Sequence, residues 1–513
     1  MNHFPWLSIL TLVPIVGACL ALLAGKRRGP ARAIAAASAL VSLAITIYLW
    51  TAFNTASGTM QFQELHAWMP ALGVEYHLAI DGLGLLMVVL SAIVVLISIA
   101  ASWSRNEHGG LYFAMVLFLQ AGLFGTFTAL NFIHWFFFWE LSLIPAFLLI
   151  RLWGGAARAR AANQFFIYTM VGSVALLLAF LALYLATGRF DFLDLAQLSQ
   201  QGQLAPALAQ NLHWGGLSGG GIAACIFWAA FVGFAVKVPI LPLHTWLPSA
   251  YAEAPSGTTI LLTGAMSKMG LYGLLRVLVP IFPQQMQHAL TLLLWLAVAS
   301  IVWSALVAWI QTDIKRMFAY SSINHLGYCT LGIFVVLKLP GDQINRAAAM
   351  NGVFLQMFNH ALTSSMLFWF VAMLEKRSGG LHGLNDFGGL RKVVPVLCGT
   401  MGIAVFSSLG LPGLNGFPGE FLIFKGVFPL VPWAASVSLL GLLFTAVFFL
   451  VFLERVFYGP VNQRWAAMPD LSLGERLALA PVIGLMFVLG FYPQLIVGAM
   501  NSTVMQILSQ VRF

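Results

Sequence analysis

Six ionisable side chains of this 513-residue sequence stand inside long apolar runs, where a charge is costly. Placing Lys, Asp or Arg at the centre of a membrane helix costs about 2.5–3.5 kcal/mol, so such residues are usually functional. Lys268 is the clearest, twelfth of the 23 residues from Gly257 to Val279 and too central to reach either surface easily. Glu140 lies in Phe138-Trp139-Glu140, ahead of Pro145. Lys237 closes an apolar run at Lys237-Val238-Pro239, and Pro242 follows. Glu420 lies beside Pro418 and Gly419, after Pro412, Gly413 and Gly416. His325 and His360 fall near the middle of two later runs.

The chemistry open to such a set is proton transfer. A cation near a lysine lowers its proton affinity and a carboxylate raises it, so shifting one ion pair loads or unloads a proton. Histidine titrates near neutrality and suits a relay. Each residue also has a structural explanation: an ion pair for Lys268, a neutral helix contact for Glu140, snorkelling for Lys237, a hydrogen-bonded core role for each histidine. Prolines and glycines beside Lys237 and Glu420 weigh against that explanation there. A broken helix frees backbone groups that are tolerated in a membrane only against protein or a wet cavity. Two such breaks in corresponding halves point to a transporter built from inverted repeats. Asp81, Glu454, Asp313 and Lys315 sit at run edges and read as interfacial anchors.

Other chemistries lack their residues. The four cysteines (Cys19, Cys225, Cys329, Cys398) are far apart and form no metal or cluster motif. The sequence has no phosphate-binding Gly-Lys loop, no paired mid-span histidines spaced for haem, and no strand-like stretch to carry a dinucleotide fold. The excess of Lys and Arg reads as loop orientation rather than nucleic-acid binding.

Everything else serves to hold these groups in lipid. The chain is 60% hydrophobic and 8% charged, with a mean hydropathy of +0.90. That excludes a soluble enzyme and a disordered chain. With about 20 apolar residues needed per crossing, fourteen spans are expected. They lie near 5–24, 31–53, 81–102, 111–130, 132–152, 163–187, 219–238, 257–279, 289–310, 315–337, 344–374, 393–424, 434–457 and 477–498. The fold class is all-α and polytopic. Spans 4–8 and 9–13 form two inverted five-helix repeats, each with its broken helix in fourth place. The domains are 1–110, 111–279, 289–457 and 458–513. Residues 190–218 read as a surface amphipathic segment. The first span is no signal peptide, because its basic residues, Lys26, Arg27, Arg28 and Arg32, follow it. With those four inside, seventeen of the 25 Lys and Arg fall on the inner side and six on the outer, placing both termini outside.

These motifs resemble one family, the antiporter-like membrane subunits of respiratory complex I, shared with multisubunit cation/proton antiporters and membrane-bound hydrogenases. The resemblance covers spans 3 to 13. It rests on Phe138-Trp139-Glu140 with Pro145, Lys237-Val238-Pro239, Leu243 to Pro248, Glu253-Ala254-Pro255, Ser267 to Gly270, and Asp313 to Ser322. Two subunit types usually carry a lysine on the second broken helix and a third a glutamate; Glu420, and the lack of a long lateral helix after span 14, favour the third. One departure is that Ser249-Ala250-Tyr251 stands where the family has Asp-Ala-His.

The resemblance implies a proton channel of Glu140, Lys237, Lys268, His325, His360 and Glu420, with Glu140 pairing Lys237. It implies no redox centre, metal or cofactor in this chain; NADH, FMN, Fe–S clusters and quinone belong to partner subunits. It implies antiporter-like membrane neighbours on both sides and a bacterial inner membrane. Rival readings are a subunit of a Na+/H+ antiporter, of a ferredoxin-linked plastoquinone oxidoreductase or of a hydrogenase, and a passive scaffold.

Overall fold

A backbone inside lipid has no water to bond with, so spanning segments close their hydrogen bonds within helices. The computed structural model describes residues 4–25, 28–104, 108–212, 214–338 and 342–511. Lys26, Arg27, Arg105 and Arg512, four of the charges that orient the chain, lie outside the described residues.

The chain opens with α1 (Trp6–Leu23) and α2 (Arg28–Ala52), then a hairpin of β1 (Gln61–Met69) and β2 (Val74–Ile80). Next come α3 (Gly82–Ala101), α4 (Gly109–Thr128), α5 (Phe132–Trp153) and α6 (Arg158–Thr187). Two short helices, α7 (Phe192–Gln200) and α8 (Leu204–Asn211), lead to α9 (Gly219–Lys237) and α10 (Trp246–Glu253). A helical run, α11 (residues 256–281), contains π-helical turns at Leu262–Met266 and Leu274–Leu278. Then follow α12 (Pro283–His288), α13 (Leu290–Trp309), α14 (Ile314–Val335) and α15 (Gln343–Ser378). The last part holds α16 (Pro395–Ser408), α17 (Gly416–Leu430), α18 (Pro432–Phe457), α19 (Leu473–Phe491) and α20 (Gln494–Gln510).

Among the described residues, eleven helices are long and apolar enough to cross a membrane. The stretches expected to cross at 257–279, 315–337 and 393–424 are also helical. The first is interrupted by its π-helical turns, the second is more polar, and the third is two half-length helices, α16 and α17.

Two features correct the sequence reading. The external segment expected as a loop holds an antiparallel hairpin, with Leu65 opposite His77 and Ala67 opposite Glu75. Its turn ends on Gly73 at φ +63°, a left-handed conformation that suits glycine. Polar residues alternate through both strands, so a scan for apolar runs passes over them. The Glu64 carboxylate takes the Leu7 amide at 2.7 Å and the Ser8 hydroxyl, capping the start of α1. The second feature is α20. A single last span at 477–498 was expected; the helix instead stops at Phe491 and restarts after Pro493, whose ring suits a first turn. Thr503 Oγ1 then accepts from the Gly82 amide at 2.9 Å, and Asn501 Oδ1 from Asn351 Nδ2 at 3.0 Å.

Of the four charges expected at interfaces, Asp81 and Lys315 are buried, Asp313 is half-buried and Glu454 is exposed. Asp81 caps α3, taking the Gly84 amide at 3.0 Å, and pairs with Arg276 Nη2 at 2.5 Å. Lys315 Nζ donates to the Ala254 carbonyl at 2.6 Å and stands 3.4 Å from Glu375 Oε1.

Candidate functional site

Both broken helices form where proline and glycine interrupt an apolar run, and neighbours absorb the freed backbone groups. At the first break, the Leu241 amide donates to Ser300 Oγ at 3.0 Å, and Trp246 Nε1 donates to the Val236 carbonyl at 3.0 Å. At the second, Ser407 Oγ takes the Gly416 amide at 3.1 Å and donates to Asn415 Oδ1 at 2.7 Å. Asn415 Nδ2 in turn donates to the Asn359 carbonyl at 3.0 Å. Each break leaves a charge at a helix end of the favourable sign. Lys237 is the last residue of α9 and Glu420 lies near the start of α17; a helix dipole favours cations at its C-terminus and anions at its N-terminus.

Lys268 is fully buried. Its Nζ lies 2.5 Å from the Thr263 carbonyl, 3.3 Å from Ser267 Oγ and 2.8 Å from His360 Nδ1. An ammonium has three protons, and three acceptors surround it. The Thr263 carbonyl belongs to the first π-helical turn. Such turns cluster at functional sites, and here one turns a carbonyl to the lysine.

From Lys268 the ionisable groups continue without a wide gap. The rings of His360 and His325 have centroids 5.4 Å apart. His325 Nδ1 lies 2.8 Å from Glu420 Oε1, which also accepts from Gln356 Nε2 at 3.1 Å. Both histidines and Glu420 are buried. A cavity of about 10 Å³ touches His325, His360, Gln356 and Glu420, near the lower limit for one water. The sequence singled out all four of these ionisable residues, and the structure brings them together.

Glu140 and Lys237 are not brought into the contact expected of them. Lys237 is buried, and its Nζ lies 4.5 Å from the centroid of the Trp139 ring. Trp139 Nε1 donates to Ser173 Oγ at 3.0 Å, fixing that ring. Glu140 is half-buried, and its Oε1 has no hydrogen-bond partner. Consecutive helical residues point about 100° apart, so the tryptophan beside Glu140 faces the lysine instead.

Sequence reasoning missed several residues of the site. Gln356 and Ser267 are ordinary polar residues until folded beside Glu420 and Lys268. Thr259, Thr263 and Ser267 did offer a signal, four residues apart on one helical face. Among the described residues, Glu75, His77 and Asp191 place potential metal ligands within 4.8 Å. His77 Nδ1 already meets Asp191 Oδ2 at 2.6 Å, which accounts for that grouping without an ion.

The chain as a whole is similar to known proteins. Residues 129–448 match the family model described as "NADH:quinone oxidoreductase/Mrp antiporter, TM". The chain is 34% identical over 518 residues to NADH-quinone oxidoreductase subunit M of Rickettsia conorii, covering 99% of both. It is 34% identical over 497 residues to F(420)H(2) dehydrogenase subunit M of Methanosarcina mazei, covering 95% of both. Among solved structures, a chain of respiratory complex I from Thermus thermophilus superposes with a TM-score of 0.84 at 25% identity, covering 99% of this chain and all of that one. With a family model spanning more than half its length and relatives matched from end to end, the chain belongs to the NADH:quinone oxidoreductase/Mrp antiporter transmembrane family, among its subunit M members.

Proposed function

We propose that this chain is a proton-translocating membrane subunit of an NADH:quinone oxidoreductase. The observation that carries the reading is the buried series Lys268, His360, His325 and Glu420, joined at 2.8 Å at each end and by two rings 5.4 Å apart between. A proton released by the Lys268 ammonium passes to His360. It crosses one bridging water to His325, which passes it directly to the Glu420 carboxylate. Glu140 and Lys237 stand upstream as the charge pair whose separation sets the proton affinity of Lys268. In the conformation described, Lys237 Nζ stands 4.5 Å from the centroid of the Trp139 ring.

The chain carries no redox centre in this reading. NADH, FMN, Fe–S clusters and quinone reside on partner subunits, and neighbouring antiporter-like membrane subunits flank it. The face rich in Lys and Arg is cytoplasmic, the termini are periplasmic, and the membrane is a bacterial inner membrane. The full-length relatives named for subunit M support this assignment over a stand-alone Na+/H+ exchanger.

The test is Lys268→Ala in the assembled complex reconstituted into vesicles. Proton uptake per donor oxidised falls while the complex purifies intact. A parental proton-to-electron ratio would overturn the reading. Lys268→Arg loses uptake too, because guanidinium hardly releases a proton.

A further inference from the structure

At the end of the molecule that carries Lys376 and Arg377, three helix ends leave a cleft of about 470 Å³ between them. One wall is the end of α3, with Trp103 and Ser104 after it; the second is the end of α15, and the third is the start of α19. The cleft is amphipathic along its depth. Ala100, Trp369, Ala372, Met373 and Ala478 line the part toward the membrane interior. The rim, nearer the helix ends, carries Lys376, Ser104 and Gly474. Trp369 and Lys376 are seven residues apart on α15, so the apolar wall reaches about 10 Å below the ammonium. Trp103 is 48% exposed at the rim, and tryptophan favours the boundary between lipid and water.

The charges at the rim do not cancel. Glu475 also lines the cleft, but its Oε2 accepts from Arg377 Nη2 at 2.6 Å and from the Ser472 amide at 2.9 Å. That carboxylate is therefore neutralised from outside the cleft. Lys376 is exposed and has no ion-pair partner among the described residues. The rim is left with one positive charge in excess. Gly474 lies in the first turn of α19, and a side chain added there would meet nothing within 4 Å. A helix start favours anions, so it adds to the pull of the lysine.

We propose that this cleft holds one anionic phospholipid from the leaflet on the basic face, with its phosphate at Lys376 and Ser104 and an acyl chain along the apolar wall of α15. The match is in both halves of the molecule: a negative headgroup for the uncompensated ammonium, and hydrocarbon for the wall beneath it. Seated there, the lipid ties the end of α15, the helix that carries His360 and Gln356, to α3 and α19. The inference is independent of the proton-translocation reading.

The test uses the assembled complex and two photoactivatable probes, phosphatidylglycerol and phosphatidylcholine, bearing the same diazirine-labelled chains. After irradiation, mass spectrometry maps the labelled peptides. Phosphatidylglycerol labels the ends of α3 and α15 and the start of α19 about fivefold more than phosphatidylcholine does, the worth of one basic residue against an anionic lipid. Lys376→Gln, at an exposed position, brings the two probes level. Ala372→Trp fills the cleft and removes both labels there, while labelling elsewhere persists. Equal labelling of the parent by the two probes would overturn the anionic-lipid assignment, and so would a phosphatidylglycerol preference that survives in Lys376→Gln. Undiminished labelling in Ala372→Trp would place the lipid outside the cleft. A photoreactive methionine analogue at Met373 that captures a neighbouring subunit rather than lipid would also overturn the proposal, because the cleft is then a subunit interface.

Discussion

His325 Nδ1 sits 2.8 Å from Glu420 Oε1, which ties the middle of α14 to the start of α17 directly beyond the second break. The same oxygen receives Gln356 Nε2 at 3.1 Å from α15. Three helices thus converge on one carboxylate oxygen. Glu420→Gln keeps the size and most hydrogen bonding but cannot release a proton, so vesicle proton uptake falls by tenfold or more and donor oxidation slows with it. Glu420→Asp retains part of the activity. Parental pumping in Glu420→Gln would make this a packing residue and move the exit elsewhere.

The Trp139 ring is expected to be a control element, because it lies against Lys237 while Oε1 of the adjacent Glu140 has no hydrogen-bond partner. A desolvated cation–π contact is worth about 2 kcal/mol. Trp139→Leu frees Lys237 to approach Glu140, raising the basal proton leak measured without electron donor. Glu140→Gln removes the alternative partner and cuts coupled uptake several-fold, as the proposed switch requires. If both variants pump as the parent does, the pair has no part in coupling.

The Asp81–Arg276 pair bears on stability. Arg276 lies in the second π-helical turn of the helix that carries Lys268, and both partners are buried. Asp81→Asn leaves a guanidinium buried without its counter-charge, which costs about 3–5 kcal/mol. The purified complex should melt at a lower temperature, and the double variant Asp81→Ala/Arg276→Met should recover most of the loss, since replacing both partners is often neutral. An unchanged midpoint for Asp81→Asn would show that the pair contributes nothing.

Outside the membrane, His382 and Asp313 give a pH dependence. His382 Nδ1 lies 2.7 Å from Asp313 Oδ2. The Asp313 carboxylate raises the imidazole above its ordinary 6.5. Burial alone would raise Asp313, but His382 and the Arg316 amide outweigh it and hold Asp313 below 3.8. The raised histidine adds stability that is complete below pH 6.5 and is lost as pH climbs through its folded value. The lowered carboxylate adds stability that is complete above pH 3.8 and is lost as pH falls through its folded value. Together they favour the closed loop most between pH 3.8 and 6.5. The Ile314 amide donates to the His382 carbonyl and the Leu384 amide to the Thr312 carbonyl. Exchange at these amides, corrected for intrinsic rate, should gain protection from pH 8 to pH 6. Protection that is flat across that range would refute the linkage.

How much of this was legible in the sequence depended on how costly each group is in its setting. Lys268, His325, His360 and Glu420 stood out because an ionisable group in an apolar run demands a partner, and the partners proved to be one another. Asp81 and Lys315 misled because the edge of an apolar run need not be the edge of the folded protein. Both side chains lie under neighbouring helices. The hairpin escaped because its alternation is polar. The Glu140–Lys237 pairing came from the family resemblance, but two opposite charges in one half need only share a region, and the Trp139 face competes for the cation.

A cavity of about 10 Å³ between His360 and Glu420 has one further implication. A space that admits a single molecule is binary. In the proposed relay, the two histidines and the carboxylate conduct with that molecule in place and insulate without it. Helices shifting by a fraction of a water's diameter could then make or break the circuit, so a distant partner could throw it mechanically, as a valve is thrown, leaving every charge in place.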